Sequence, residues 1–221
     1  MSNNIQLYSL ATPNGQKASI ALEEMGLSYD AHRIDIMKGD QHTDEYLKIS
    51  PNGKIPGLID PDGPNGEPIT IMESGAILTY LADKTGQFLP SDPVKRSQTL
   101  QWLFFQVGHV GPMFGQFGHF YALGGSKSCD HPYPLERYSG EVKRLLGVME
   151  TQLSKHAYIA GEEYTIADMA IFPWVGCLDW AYNAREHLEL SDYPKVMAWY
   201  EQCASRPAAA RGLLVCPIKE E

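Results

Sequence analysis

The stretch Ile5-Gln-Leu-Tyr-Ser-Leu-Ala-Thr-Pro-Asn-Gly15, continued by Gln-Lys-Ala-Ser-Ile-Ala-Leu-Glu-Glu-Met25, decides how the sequence is interpreted. It predicts a short strand, a tight turn at Thr-Pro-Asn-Gly, and an amphipathic helix with Ala18, Ala21, Leu22 and Met25 on its buried face. A strand that leads through a polar turn into a helix presents backbone amides at the end of a sheet. We therefore predict a site for an anion, such as a thiolate, at a turn that contains no cysteine of its own.

Composition and charge limit the classes of partner. The chain has 221 residues, of which 43% are hydrophobic and 20% are charged, as is usual for a soluble globular protein. Its net charge of −9 argues against nucleic acid or an anionic membrane as the main partner. The sequence has no apolar run long enough to cross a membrane, and its start lacks the features of a secretory signal, so a cytoplasmic location is expected.

The four cysteines, Cys129, Cys177, Cys203 and Cys216, are scattered along the chain. No two of them have the spacing of a dithiol redox motif or a zinc knuckle. We expect four reduced thiols, some of them buried, and no metal site. His119, Cys129 and His131 form no recognised ligand pattern either.

Strand and helix patterns divide the chain into two predicted domains. Residues 1–86 show the order β-α-β-α-β-β-α, which predicts a small mixed sheet with helices on both faces. A linker over residues 87–92 is followed by residues 93–221, which show only helical patterns. The predicted fold class is thus an α/β domain followed by an all-α domain. Its last helix is predicted to begin at Tyr193-Pro194.

Three motifs resemble the cytosolic glutathione transferases: Ser50-Pro-Asn-Gly-Lys-Ile-Pro56, Glu73-Ser-Gly-Ala-Ile-Leu78, and a helix capping box formed by Thr165 and Asp168. The resemblance covers nearly the whole chain. It implies a thioredoxin-like N-terminal domain, an all-helical C-terminal domain, and a homodimer with the active site between the domains.

Five further stretches resemble the Nu class of that superfamily: Ala-Thr-Pro-Asn-Gly15, Lys-Gly-Asp-Gln41, Leu-Gln-Trp-Leu-Phe104, Gly-Pro-Met-Phe-Gly-Gln116 and Leu-Glu-Arg-Tyr138. This class contains bacterial disulfide-bond oxidoreductases and is related to a yeast nitrogen regulator. The resemblance implies that the protein binds oxidised glutathione, or two glutathione molecules, and reduces disulfides without a cysteine of its own.

The resemblance also indicates which residues would bind glutathione. It implies a cis Ile55-Pro56 bond, with the backbone of Ile55 pairing with the cysteinyl part of glutathione, although a trans proline ending a loop is commoner on base rates. Glu73 and Ser74 would hold the γ-glutamyl end, and a plain helix N-cap at Ser74 is the alternative. The same resemblance implies that Gln41 and Lys54 make polar contacts with the glycyl part of glutathione.

Thr12 and Asn14 are the predicted catalytic pair and flank Pro13, which stands where other transferase classes have a serine. A thiol with a pKa of about 8.5 must be lowered by about two units, or roughly 2.7 kcal/mol, to be mostly ionised at neutral pH. Two or three donors from Thr12, Asn14 and the helix amides, each worth about 1.5–3 kcal/mol, could supply that. A plain turn is the alternative, and Tyr8 and Ser9 are rival hydroxyls, of which Tyr8 is expected to pack within the strand.

Arg137 is assigned by the resemblance to a glutathione carboxylate, either of a second molecule or across the dimer. An ion pair with Glu141, one helical turn away, is the alternative. The residues predicted to lie on the second-substrate side are Gln116, Phe117, His119 and Phe120.

The sequence thus predicts a glutathione-dependent disulfide-bond oxidoreductase that acts on small disulfides, with bound glutathione as its only redox thiol. Two alternatives stay open: conjugation of glutathione to electrophiles, and a non-catalytic glutathione-binding regulator.

Overall fold

The computed structural model describes residues 4–124 and 127–218. The chain forms two compact units. One comprises the residues up to Leu89 together with those from Arg206 onward, and the other is Pro90–Ser205.

The first unit contains a mixed sheet of four strands: β1 (Ile5–Ser9), β2 (Tyr29–Arg33), β3 (Gly57–Asp60) and β4 (Ile69–Met72). The strands lie in the order β2-β1-β3-β4. β1 is parallel to β2 and antiparallel to β3, and β3 is antiparallel to β4. The predicted mixed sheet is therefore confirmed.

The α-helices of the described residues are α1 (Pro13–Glu24), α2 (Asp44–Leu47), α3 (Ser74–Thr85), α4 (Pro93–Phe105), α5 (Gly111–Tyr121), α6 (Tyr133–Leu153), α7 (Ile166–Trp180), α8 (Pro194–Ala204) and α9 (Pro207–Gly212). A π-helical segment, Gln106–Val110, joins α4 to α5. None of the helices in the described ranges is long and apolar enough to cross a membrane.

The core of the first unit lies between the sheet and helices α1 and α3. The face predicted from the apolar spacing of α1 is buried from Ala18 to Met25. Leu7 and Leu58 from the sheet and Ile77 from α3 are completely buried with it. Burial of such side chains contributes about 1.5–3 kcal/mol each and fixes both helices on the strands.

Helix α9 belongs to the first unit, although residues 93–221 were predicted to form the helical domain and no helix was predicted after α8. Ser19 Oγ donates a hydrogen bond to the carbonyl oxygen of Gly212 at 2.7 Å. A Cβ at Gly212 would lie 2.7 Å from the backbone nitrogen of Ile20, so only glycine permits this approach. Arg206 adds a bidentate pair with Glu24, both bonds being 2.7 Å. The segment is too short and too rich in alanine to show a helical stripe in the sequence.

The second unit is helical, as predicted. The apolar stripe of α6, from Val142 to Leu153, is buried, and most of α7 is buried as well. The predicted capping box is present at the start of α7, where Asp168 Oδ2 accepts from the Thr165 nitrogen at 2.9 Å. Asp168 also accepts from Trp199 Nε1 at 2.9 Å, which ties α7 to α8.

Candidate active site

The register of the sheet brings three of the predicted motifs together. Tyr8 of β1 pairs with Gly57 of β3, and Gly57 pairs with Met72 of β4. Just beyond this row, β1 leads into the Thr-Pro-Asn-Gly turn, the Ile55-Pro56 bond enters β3, and β4 leads into Glu73. One end of the sheet therefore carries the turn, the proline loop and the start of α3.

Two backbone amides at this turn, those of Gly15 and Gln16, form hydrogen bonds to Thr12. Thr12 is the N-cap of α1, and its Oγ1 accepts from the Gly15 nitrogen at 3.4 Å. The Thr12 carbonyl accepts from the Gln16 nitrogen at 2.9 Å, and Pro13 has no N–H. A hydroxyl oxygen that accepts a bond still has its O–H to donate. The side chains of Thr12 and Asn14 offer further donors, and the predicted anion site at this turn stays a prediction.

Close packing at Gly15 and hydrogen bonds to the C-terminal segment fix the position of this turn. A Cβ at Gly15 would lie 1.9 Å from the Leu10 carbonyl oxygen, so the helix start packs closely against the strand end. The Ala11 nitrogen donates to the Cys216 carbonyl oxygen at 2.8 Å, and Arg33 Nε donates to the Pro217 carbonyl oxygen at 2.9 Å. The C-terminal segment thus supports the turn, a contact between residues far apart in sequence.

The two residues with rival hydroxyls, Tyr8 and Ser9, have contacts of their own. The Tyr8 ring stacks on the His32 ring with centroids 4.6 Å apart, so it packs within the sheet as expected. Ser9 is only 2% exposed, and its Oγ donates to the Leu10 carbonyl oxygen at 3.4 Å.

The Ile55-Pro56 bond is cis, as the resemblance implied. The loop before it is held by two buried residues, Ser50 at the start of the motif and Tyr46 from α2. Tyr46 Oη and Ser50 Oγ each donate to the Lys54 carbonyl oxygen at 2.8 Å. These bonds fix the backbone that precedes Ile55, while the Lys54 side chain is exposed.

Gln41 is half-buried and donates from Nε2 to the Ile36 carbonyl oxygen at 3.4 Å. Its Oε1 is buried and has no hydrogen-bond partner among the residues that the structure describes. An amide end of this kind suits a further polar group, and the predicted contact of Gln41 with glutathione stays a prediction.

The start of α3 is strained at Glu73, whose φ of +72° lies in the left-handed region. For a residue with a side chain, such a backbone costs about 1–3 kcal/mol. Glu73 holds the N-cap position and Ser74 is the first helical residue, so a plain N-cap at Ser74 is not what the structure has. Glu73 Oε1 accepts from Asn52 Nδ2 at 3.4 Å.

Lys17 joins two of the predicted site residues and was missed in the sequence. Its side chain is 1% exposed, and Nζ donates to Asn14 Oδ1 at 2.9 Å and to Ser74 Oγ at 3.2 Å. Burial lowers the pKa of Lys17 well below its usual range, while the nearby charge of Glu73 acts in the opposite direction. The available signal was its position four residues before Ala21, which places it beside the buried face of α1.

The residues of α5 that were predicted to lie on the second-substrate side differ in their exposure. Phe117 is completely buried and stacks on Tyr121 with centroids 5.0 Å apart. Its assignment is therefore wrong, because the helical period turns it into the core of this unit. Gln116 and His119 are exposed, and the partly exposed Phe120 stacks on Tyr138 at 5.7 Å.

Arg137 adopts the alternative arrangement. Its Nη1 lies 3.4 Å from Glu141 Oε2, and Arg144 binds the same carboxylate at 2.7 Å. The predicted contact of Arg137 with a glutathione carboxylate stays a prediction. Within residues 4–124 and 127–218, no group of three or more His, Cys, Asp or Glu side chains is placed to hold a metal ion.

Comparison with known proteins gives the family. The sequence matches the N-terminal domain of glutathione S-transferases over residues 11–84 and the C-terminal domain over residues 113–207. It is 46% identical over 219 residues to the disulfide-bond oxidoreductase YghU of Escherichia coli K12, covering 96% of this chain and 74% of that protein. It is 44% identical over 220 residues to the disulfide-bond oxidoreductase YfcG of the same organism, covering 98% of each.

Among solved structures, a glutathione transferase family member from Pseudomonas fluorescens, crystallised with two glutathione bound, matches with a TM-score of 0.94 and 50% identity. The match covers 96% of this chain and 93% of that one. The chain therefore belongs to the glutathione S-transferase family, with a thioredoxin-like N-terminal domain followed by an all-helical C-terminal domain.

Proposed function

We propose that this protein is a glutathione-dependent disulfide-bond oxidoreductase of the Nu class. The observation that carries the proposal is the end of the sheet, where Thr12 and Asn14, in a turn without a thiol, lie beside the start of α3. The names of YghU and YfcG support the type of reaction. The two glutathione molecules bound by the Pseudomonas fluorescens protein support the use of two thiols.

The residues present suit glutathione as a substrate. The backbone of Ile55 can pair with its cysteinyl part like an added strand. The γ-glutamyl end has a carboxylate and an ammonium, which Ser74 and Glu73 complement. Gln41 and Lys54 suit the carboxylate at the glycyl end.

The reaction needs two glutathione thiols and no thiol of the protein. The thiolate of one glutathione, stabilised by donors from Thr12 and Asn14, attacks a disulfide and forms a mixed disulfide while one substrate thiolate leaves. The second glutathione attacks the glutathione sulfur of the mixed disulfide, which releases the other substrate thiolate. The substrate disulfide is reduced to two thiols, and two glutathione molecules are oxidised to one glutathione disulfide.

Three of the protein's four cysteines are in a state that supports a reaction between glutathione thiols alone. Cys177, Cys203 and Cys216 are buried. Burial raises the pKa of the Cys177 thiol to about 12 and also raises that of Cys216. Thiols with raised pKa values contain little thiolate and react slowly.

The test is to replace all four cysteines by serine and to measure glutathione-dependent reduction of hydroxyethyl disulfide. We expect kcat within about threefold of wild type, because the protein's own thiols take no part. A folded all-serine protein that has lost activity would contradict the proposal. Turnover of chlorodinitrobenzene in preference to the disulfide would favour conjugation, and glutathione binding without turnover of either would favour a regulator.

We also propose a homodimer. In the helical unit, α4 exposes Val94 at 66% and Phe104 at 68%, and Val107 follows it in the π-helical segment at 40%. Exposed apolar side chains grouped on one segment commonly mark a protein interface. Light scattering after gel filtration should give twice the chain mass for wild type, and a lower mass for Phe104→Glu. A monomer at micromolar concentration would contradict this.

The cytoplasmic location stays a prediction.

A further inference from the structure

A buried lysine side chain contacts two residues that are assigned to different parts of glutathione, the cysteinyl thiol and the γ-glutamyl carboxylate. Lys17 Nζ lies 2.9 Å from Asn14 Oδ1 and 3.2 Å from Ser74 Oγ. Asn14 stands in the turn assigned to the thiolate, and Ser74 stands at the helix start assigned to the γ-glutamyl carboxylate. A charged group is rarely buried to this degree unless its contacts compensate for the lost water.

The chemistry of an ammonium group determines how its two partners are oriented. An ammonium has three donors and no acceptor, so the Asn14 atom that faces it must be the carbonyl oxygen. The amide nitrogen of Asn14 is then directed away from Lys17, as a donor. Ser74 Oγ likewise accepts from Lys17, which directs its O–H toward another acceptor.

We propose that Lys17 is a positioning residue that orients Asn14 toward the glutathione thiolate and Ser74 toward the γ-glutamyl carboxylate. This inference rests on the proposed binding of glutathione. A single residue of α1 thereby sets the donor direction at both the cysteinyl thiol and the γ-glutamyl carboxylate of the substrate.

The groups that face Lys17 favour its charged form in this arrangement. From α1 it is faced by Asn14, and from the start of α3 by Ser74 and the carboxylate of Glu73. Two acceptors lie at hydrogen-bond distance from Lys17. The charge of Glu73 opposes the effect of burial, which lowers the pKa of Lys17 well below its usual range. In its charged form Lys17 also favours an anion bound next to Asn14, since charges interact strongly where water is excluded.

The test compares Lys17→Met with Lys48→Met. Methionine keeps the length and apolar stem of lysine but removes its donors and charge. Lys48 is an exposed lysine on the surface, bonded to Glu45 at 2.9 Å, and controls for the loss of a positive charge. For Lys17→Met we expect kcat for disulfide reduction to fall at least tenfold. We also expect the ultraviolet absorbance of the bound glutathione thiolate to titrate at a pH at least one unit higher than in wild type.

Circular dichroism and the melting temperature must show that each variant is folded. A folded Lys17→Met protein with kcat, KM and thiolate titration within twofold of wild type would overturn the inference. If Lys17→Met does not fold, Lys17→Gln is the second variant, because its amide keeps an N–H donor. It should lose less than fivefold in kcat, and a tenfold loss in a folded Lys17→Gln protein would equally overturn the inference.

Failure of this inference is distinct from failure of the proposed function. If wild type neither binds glutathione nor reduces the disulfide, the proposed function is wrong. If wild type does both and Lys17→Met behaves like it, only the role of Lys17 is wrong.

Discussion

Replacement of Thr12 by valine should separate two roles of one hydroxyl. Valine keeps the branched shape but can neither cap α1 nor donate to a thiolate. The lost cap is a long bond of 3.4 Å to the Gly15 nitrogen. The free energy of unfolding should therefore fall by about 0.5–1 kcal/mol, the lower part of the usual range for an N-cap.

The effect on the bound thiol should be larger than the effect on stability. A hydrogen bond to a charged acceptor contributes about 1.5–3 kcal/mol, which corresponds to about one to two pKa units. In Thr12→Val the pKa of enzyme-bound glutathione should rise by that amount. The rate of disulfide reduction at neutral pH should fall about 10- to 100-fold for the same free energy.

The assay is a pH titration of thiolate absorbance with glutathione bound, together with urea unfolding of the free protein. Thr12→Ser is the matched control, because it keeps the hydroxyl and should preserve both the cap and the thiol pKa. If Thr12→Val and wild type titrate at the same pH, the Thr12 hydroxyl does not stabilise the thiolate. Asn14 would then be the main donor.

Two further substitutions test the surroundings of the site. Glu73→Gly relieves a backbone strain of about 1–3 kcal/mol and costs about 0.5–1 kcal/mol in chain entropy. The free energy of unfolding should therefore be equal to or above that of wild type, while glutathione binding weakens at least tenfold. The control is Ala76→Gly, in the exposed part of α3, which should only lower the free energy of unfolding. A clear loss of stability in Glu73→Gly would contradict the strain at this residue. Tyr80→Phe removes a 2.6 Å bond from Tyr80 Oη to the buried carboxylate of Asp60, and should cost about 1.5–3 kcal/mol in urea unfolding at neutral pH, with exposed Tyr133→Phe as a control. Burial would raise the pKa of Asp60, but the hydrogen bonds that its carboxylate accepts lower it, so the contribution of Asp60 to stability is present above about pH 5 and lost as the pH falls through the folded pKa. The free energies of unfolding of Tyr80→Phe and wild type should therefore converge in acid. A difference in stability that does not depend on pH would refute this.

Features encoded within a few residues could be predicted from the sequence. The capping box of Thr165 and Asp168, and Pro194 at the start of α8, mark helix starts by local hydrogen bonding and fixed backbone geometry. The face of α1 follows from the helical period alone. The turn, the proline loop and the start of α3 could be placed at one site because the resemblance supplied their three motifs together.

Features that depend on distant contacts could not be predicted. Lys17 looks like an ordinary surface lysine until α3 brings Ser74 to within 3.2 Å of it. The support of Ala11 by the carbonyl of Cys216 joins two ends of the chain, and no local pattern marks it. Phe117 was grouped with Gln116 and His119 by their closeness in sequence, but the period of α5 turns Phe117 inward.

In the proposed mechanism the nucleophile is the thiol of bound glutathione, which this turn must hold in position, whereas a cysteine of the protein would need no such contacts. A cysteine is attached to its own backbone, whereas a glutathione sulfur is located only by contacts along the rest of the peptide. The rate of exchange depends steeply on the position of the attacking atom, so those contacts contribute to rate as well as to affinity. This accounts for a turn packed so closely that Gly15 admits no side chain, and for a proline loop held by two hydrogen bonds to the Lys54 carbonyl. In the proposed mechanism, rigid binding residues therefore position the glutathione thiol as covalent attachment positions the thiol in enzymes that use their own cysteine.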